Sequence, residues 1–289
     1  MKYHMIPDEL RLFLQKRFHI QAIRPLAGGD INKVCQLDTS LGSYCLKFNS
    51  ADRYPGMFEK EAGGLILLNA SKTFRIPAVT EVITLDSYSA LLLEFIHSGK
   101  PVNDFMFRFG LSLAKLHDRS SPEYGLGHDN YMGSLPQSNR KHKNWIDFFR
   151  EERLEKQLRM ARDSGQLTRD THTLFTSLFS RLDQLLVVDR PALLHGDLWG
   201  GNFMVSETGE ACLIDPAVYF GHREVDLAMT TLFGGFSSDF YRGYESHHRL
   251  VPGWRERLDL YNLYPLLVHV NLFGEGYMGS VHRILQKFS

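Results

Sequence analysis

Net charge is the first thing this 289-residue chain lacks, since 33 Lys and Arg residues cancel 33 Asp and Glu. A basic footprint for nucleic acid is therefore missing, as is an acidic tail, and any anionic ligand must be held by a local cluster of donors. Cysteine is scarce. Cys35, Cys45 and Cys212 cannot all pair and none stands in a Cys-x-x-Cys, so no disulfide framework is legible and a reducing compartment is expected. No apolar run approaches the about 18 residues of a membrane helix. The first residues, Met1-Lys2-Tyr3-His4 to Pro7-Asp8-Glu9, lack the apolar stretch of a secretory signal. The expectation is a cytoplasmic protein with neither membrane nor nucleic acid among its partners. Repeats and low-complexity tracts are absent too. What remains is an ordinary globular balance, 43% apolar and 23% charged, which excludes a disordered or fibrous chain. At roughly 150 residues per domain the length allows two domains.

The hydrophobic pattern changes grain along the chain. Pro7-Asp8-Glu9 followed by Leu10, Phe13 and Leu14 predicts a short amphipathic helix with acidic residues at its positive end. Ile20 to Ala27, Asn32 to Asp38 and Ser43 to Asn49 read as strands, the last two flanking a Thr-Ser-Leu-Gly turn. Phe58, Leu65 and Leu68 fall at helical spacing over Met57 to Ala70, and Thr80 to Asp86 and Tyr88 to Ile96 read as two more strands around a short turn. Residues 1–96 thus form one expected domain, and His97-Ser98-Gly99-Lys100-Pro101 a linker. Residues 97–289 are mostly helical, with apolar faces at Phe105, Phe109, Leu113 and Leu116, at Trp145 to Ala161, and at Leu174 to Leu186. A Gly-rich loop spans Gly125 to Ser138, and Phe203 to Val205 with Ala211 to Ile214 suggest a hairpin.

The residues that bear chemistry cluster in two places. His195-Gly196-Asp197-Leu198-Trp199-Gly200-Gly201-Asn202 precedes that hairpin and Ile214-Asp215-Pro216 follows it. Phosphoryl transfer from ATP needs a carboxylate to orient and deprotonate the attacking hydroxyl, and oxygen ligands for magnesium. Protein kinases place an Asp and, five residues on, an Asn in one loop, with a second Asp beyond a hairpin. Asp197, Asn202 and Asp215 repeat that spacing, with Asp197 as base and Asn202 and Asp215 as Mg2+ ligands. Taken singly, each also suits a turn or helix cap. Upstream, Lys47 in a strand calls for an anionic partner, which Glu61 on the next helix can be; in kinases such a pair positions the lysine on the α and β phosphates of ATP. Singly, the two also read as an exposed Lys snorkelling from a strand and a solvated helical Glu. Gly28-Gly29-Asp30-Ile31-Asn32 could bring backbone N–H groups over those phosphates, although it lacks the full G-x-G-x-x-G spacing and a plain hairpin turn explains it as well. Leu91 to Ile96 would offer the backbone of Glu94 and Ile96 to adenine; its other reading is a buried edge strand.

The chain resembles the fructosamine kinase (ketosamine-3-kinase) family within the aminoglycoside and choline kinase-like phosphotransferases. The resemblance rests on Phe58-x-x-Glu61-x-x-x-Leu65-x-x-Leu68, Tyr124 to Gly133, Pro136-Gln137, Trp145 and Phe148-Phe149-Arg150-Glu151-Glu152-Arg153-Leu154. It continues through His195 to Asn202, Tyr219 to Met229 and Leu267 to Gly274, and so spans nearly the whole chain. It implies an α+β, bilobal protein kinase-like fold: a small β-rich, nucleotide-binding N-lobe (1–96) and a larger, mainly helical C-lobe (97–289) holding the catalytic loop and ketosamine site. It implies ATP- and Mg2+-dependent phosphorylation of the 3-hydroxyl of a sugar attached to an amine, after which the adduct is labile and the amine is regenerated. The partners implied are small ketosamines (fructosamines or ribulosamines) or glycated lysines on proteins, with a monomer or weak homodimer. Trp199 and His269 would face the sugar, and Asp226 would support the catalytic loop. The sequence departs from some relatives in having no Cys in the glycine loop, which puts redox control there in doubt. Gly196 stands where protein kinases have Arg, and no Ala-Pro-Glu segment follows Asp215. Two alternatives stay open: a kinase for another hydroxylated amine, such as an aminoglycoside or choline, and an inactive kinase fold serving as a binding module.

Overall fold

The computed structural model describes residues 5–26 and 31–288. They fall into two compact units: residues up to Val102 together with Met204–Ile214, and Asn103–Phe203 together with the residues from Asp215 onward. No helix among the described residues is long and apolar enough to cross a membrane.

The first unit opens with α1 (Asp8–Gln15), whose Leu10 and Leu14 are fully buried. Five antiparallel strands follow, β1 (Ile20–Pro25), β2 (Lys33–Thr39), β3 (Gly42–Ser50), β4 (Val79–Thr84) and β5 (Tyr88–Glu94), with α2 (Met57–Asn69) between β3 and β4. The sheet order is β1-β2-β3-β5-β4, which makes β5 an interior strand rather than an edge. Its five central residues, Ser89 to Leu93, are all buried, as expected of a strand covered on both faces. Strand alternation sends Cys35, Leu37, Leu46, Phe48, Ala90 and Leu92 into one core with Leu10 and Leu14. Lys47, between Leu46 and Phe48, must point to the opposite face.

Strands β9 (Phe203–Val205) and β10 (Ala211–Leu213) form the expected hairpin. Numbering in chain order conceals where most of it belongs. Gly99 N–H donates to Val205 O at 3.0 Å, Val102 N–H to Gly209 O at 3.1 Å, and Leu213 N–H to Arg75 O at 3.0 Å. A Cβ at Gly99 would lie 2.2 Å from Ser206 O, so only glycine permits the approach. Residues 97–102 and 204–214 therefore cluster with the first unit, whereas the sequence reading ended the domain at 96.

The second unit contains α3 (Phe105–Leu116), β6 (Asn130–Met132) paired with β7 (Leu135–Gln137), and α4 (Trp145–Phe148), which runs through a π-helical turn (Phe149–Leu154) into α5 (Glu155–Asp163). Next come α6 (Arg169–Phe179), α7 (Leu182–Leu185), β8 (Ala192–Leu194) and β11 (Tyr219–Gly221), then α8 (Glu224–Met229), α9 (Ser238–Glu245), α10 (Trp254–Phe273), a 3-10 turn (Glu275–Tyr277) and α11 (Met278–Phe288). The helix expected from Leu174 to Leu186 is thus two, broken at Ser180, whose hydroxyl donates to Ser177 O. The Gly-rich loop carries the β6–β7 hairpin. Helices α3 and α9 touch backbone to backbone: a Cβ at Gly110 would lie 1.8 Å from Phe240 O, and one at Gly243 1.9 Å from Phe107 O. Arg153 is fully buried in the π turn, its guanidinium 3.9 Å from the Tyr219 ring centroid and hydrogen-bonded to Asn139 Oδ1 at 2.8 Å.

Candidate active site

In the first unit, alternation on β3 aims Lys47 away from the Leu46–Phe48 core, and the helical spacing of Phe58, Ala62 and Leu65 leaves Glu61 beside the buried stripe of α2. The two meet: Lys47 Nζ lies 2.6 Å from Glu61 Oε1, with side chains only 6% and 11% exposed. Asn32 Oδ1 accepts from Asn49 Nδ2 at 2.8 Å, which ties the start of β2 to β3. Gly28 and Gly29 lie outside the described residues. Glu94 is more committed than the sequence suggests. Its N–H donates to Ala78 O at 2.8 Å, and its carboxylate pairs with Arg75 and accepts from Ala78 N–H. The hydrogen bond from Arg75 holds that carboxyl below the usual range. Ile96, just past β5, is buried.

In the second unit, two short strands do the positioning. β8 and β11 pair antiparallel with Leu194 opposite Tyr219, and the ladder continues as Ala217 N–H donates to His195 O at 2.9 Å. Residues 195–197 and 215–217 therefore emerge side by side. Gly196 has φ +84°, and a Cβ there would lie 2.1 Å from Ala217 O, so the position admits no side chain. The loop is fixed from behind by Asp226, fully buried, whose Oδ2 accepts His195 N–H at 2.8 Å and Oδ1 Gly196 N–H at 2.9 Å. His117 Nε2 lies 3.2 Å from the same carboxylate and its Nδ1 2.7 Å from Tyr244 Oη. Asp226 was expected as a support; His117 was not, although a histidine closing an otherwise apolar helical face was a signal of a buried polar partner.

Asn202 Nδ2 donates to both Asp197 O and Asp197 Oδ2, each at 2.8 Å. No hydrogen bond among the described residues uses Asn202 Oδ1, which leaves a hard oxygen beside Asp197. Asp215 sits at φ +54°, a left-handed conformation that Asp adopts more readily than most residues with a side chain. The Asp197 carboxyl is pushed up to about 7, first by its removal from water and then by the nearby charges of Asp215 and Asp226, with the Asn202 amide opposing. The structure thus gathers Asp197, Asn202 and Asp215, a set of oxygens suited to a divalent cation.

Trp199 lies over Gly201, where a Cβ would meet the indole at 2.4 Å. Phe233, which the sequence reading missed, links the two expected sugar-facing residues, with ring centroids 5.6 Å from Trp199 and 5.0 Å from His269. His269 Nδ1 is 2.7 Å from Pro265 O. A carbonyl only accepts, so Nδ1 carries the hydrogen and Nε2 offers a lone pair in the neutral ring.

The fructosamine kinase family model matches residues 3–289. A Lactiplantibacillus plantarum protein named as a probable ketoamine kinase is 40% identical over 278 residues, covering 93% of this chain and 95% of its own. The chloroplastic protein-ribulosamine 3-kinase of Arabidopsis thaliana is 36% identical, covering 94% and 84%. A solved Thermobifida fusca structure, named as a candidate fructosamine-3-kinase, superposes with a TM-score of 0.85 at 32% identity over 96% of this chain and 97% of that one. An aminoglycoside phosphotransferase, at 14% identity and a TM-score of 0.65, shares the kinase-like fold. Matched along its whole described length and this similar to its relatives, the chain belongs to the fructosamine kinase family and is a phosphotransferase acting on a sugar hydroxyl.

Proposed function

We propose that the protein is an ATP-dependent ketosamine 3-kinase, which phosphorylates the sugar 3-hydroxyl of glycated amines, small or protein-bound, so that the amine is regenerated. The observation that carries this reading is the convergence of Asp197, Asn202 and Asp215 at one end of the β8–β11 ladder, beside Trp199. Asp197 accepts the proton of the 3-hydroxyl as its oxygen attacks the γ-phosphorus; a carboxyl raised toward neutrality holds that proton better than an ordinary one. Asn202, by gripping both Asp197 O and Oδ2, fixes the direction in which Asp197 points. Asn202 Oδ1 and Asp215 are the oxygens that would hold magnesium, which when bound offsets the charge of the triphosphate. Lys47, aligned by Glu61, would hold the α and β phosphates, and the Glu94–Ile96 backbone would border adenine. One kinase-fold neighbour, an aminoglycoside phosphotransferase, was crystallised with AMP-PNP and with ADP, which supports a nucleotide in this role. The Trp199 indole supplies an apolar wall to the sugar's C–H face, and His269 Nε2 accepts from a hydroxyl. A compartment rich in ATP, the cytoplasm, suits this chemistry.

The test is ATP consumption with ketosamine adducts of one lysine derivative (fructose, ribulose, erythrulose), with an aminoglycoside and choline as comparisons. Turnover with at least one ketosamine, lowered on the order of 10²-fold or more by Asp197→Asn, is expected. Turnover confined to the aminoglycoside or choline, or unaffected by Asp197→Asn, overturns the reading.

A further inference from the structure

Phe233 is placed at a backbone cost. Its φ is +54°, in the left-handed region disfavoured for a bulky residue, and 46% of it is exposed. The turn that holds it is anchored at its base, where Phe236 N–H donates to Thr230 O at 2.9 Å. The ring stands edge-on to Trp199 at an interplanar angle of 76° and packs on His269. His269 in turn touches Phe273 and Tyr277, at centroid separations of 5.6 and 4.9 Å, and Phe273 is 52% exposed. Five rings therefore form one continuous, partly open aromatic surface that begins two residues from Asp197.

We propose that this surface binds the amine side of the substrate as a cation, with Phe233 as the residue that selects charged secondary-ammonium adducts over neutral ones. The inference rests on the ketosamine reading and deepens it. In a ketosamine the amine nitrogen and the reacting oxygen flank a three-carbon stretch, so a hydroxyl at Asp197 keeps the nitrogen within a few bonds of it, and the aromatic run starts in the same loop at Trp199 and continues to Phe233. A secondary ammonium bearing C–H groups is what a cluster of π faces attracts, through the negative face of each ring. None of the five rings brings a formal positive charge when His269 is neutral, and His269 Nε2 adds a lone pair.

The experiment compares a fructosyl-lysine derivative, charged at its nitrogen, with the N-acetylated form of the same adduct, which is neutral. Both are measured as substrates, and their 3-deoxy analogues as ligands by calorimetry. Wild type is expected to favour the charged form. Phe233→Leu should raise KM for it about tenfold, with kcat and the KM for ATP within about twofold, and should leave the neutral form's binding unchanged. Phe233→Tyr should restore the preference. Equal loss with both forms, or no loss with either, overturns the role of Phe233. Equal wild-type binding of the two 3-deoxy ligands overturns the cation site even if turnover is normal. Failure to consume ATP with any ketosamine overturns the functional reading instead, and the calorimetry still decides the cation site.

Discussion

Replacing Lys47 by methionine separates what its ion pair does for the fold from what it does for the reaction. At 2.6 Å and an effective dielectric of about 20, the attraction between Lys47 and Glu61 is about 6 kcal/mol. Taking each ion from water costs several kcal/mol, so the two terms nearly cancel. Removing Lys47 alone leaves a carboxylate that is 11% exposed without its ammonium, and Lys47→Met should destabilise by about 3–5 kcal/mol. Pairing it with Glu61→Leu removes that carboxylate as well, and the double variant should return to within about 1 kcal/mol of wild type or exceed it. Nucleotide turnover should remain lost in both. Urea denaturation of all four proteins gives the coupling energy, and a coupled ATPase-type assay gives the activity. A double variant as unstable as Lys47→Met would mean that the pair supports the fold directly. Retained turnover in the double variant would end the assignment of Lys47 to the phosphates.

Glycine substitutions test packing. Gly110→Ala should push α3 from α9 and lower stability by roughly 1–3 kcal/mol or more, since its Cβ would overlap Phe240 O, whereas Gly63→Ala in α2, with nothing within 4 Å, should raise it by about 0.5–1 kcal/mol; thermal melts decide both. His222, stacked on Tyr261, is held down to about 3 mainly by burial, with Asp189 opposing. The fold keeps it neutral while the unfolded chain takes up a proton below about 6.5, so its contribution is complete above that pH and is lost as pH falls toward 3. At pH 5 the loss is about 2 kcal/mol, and His222→Gln should lose that much less between pH 7.5 and 5 in denaturant titrations.

Where a signal was local, the sequence carried it. Alternation around Lys47 and helical spacing around Glu61 set which faces meet, and the five-residue step from Asp197 to Asn202 set a hydrogen bond. What escaped depends on partners distant in the chain. β8 and β11 are three residues each, too short for a period, and exist because they pair with one another across the β9–β10 ribbon. The Glu94 carboxylate is drawn to Arg75, nineteen residues away in the chain. Arg153, legible in the sequence only as part of a motif, is buried over Tyr219 within a π turn. Phe233 was invisible because a left-handed backbone at an aromatic residue follows from no propensity.

The seam between residues 192–195 and 217–221 has a wider meaning. It stitches the loop of residues 195–197 directly to the stretch that follows Asp215, and Asp226 clasps the same loop from its other side. Protein kinases that switch on and off let the equivalent stretch swing away. Here such a swing would break a ladder and strand two buried amides, so this loop is held in one conformation by contacts on both of its sides.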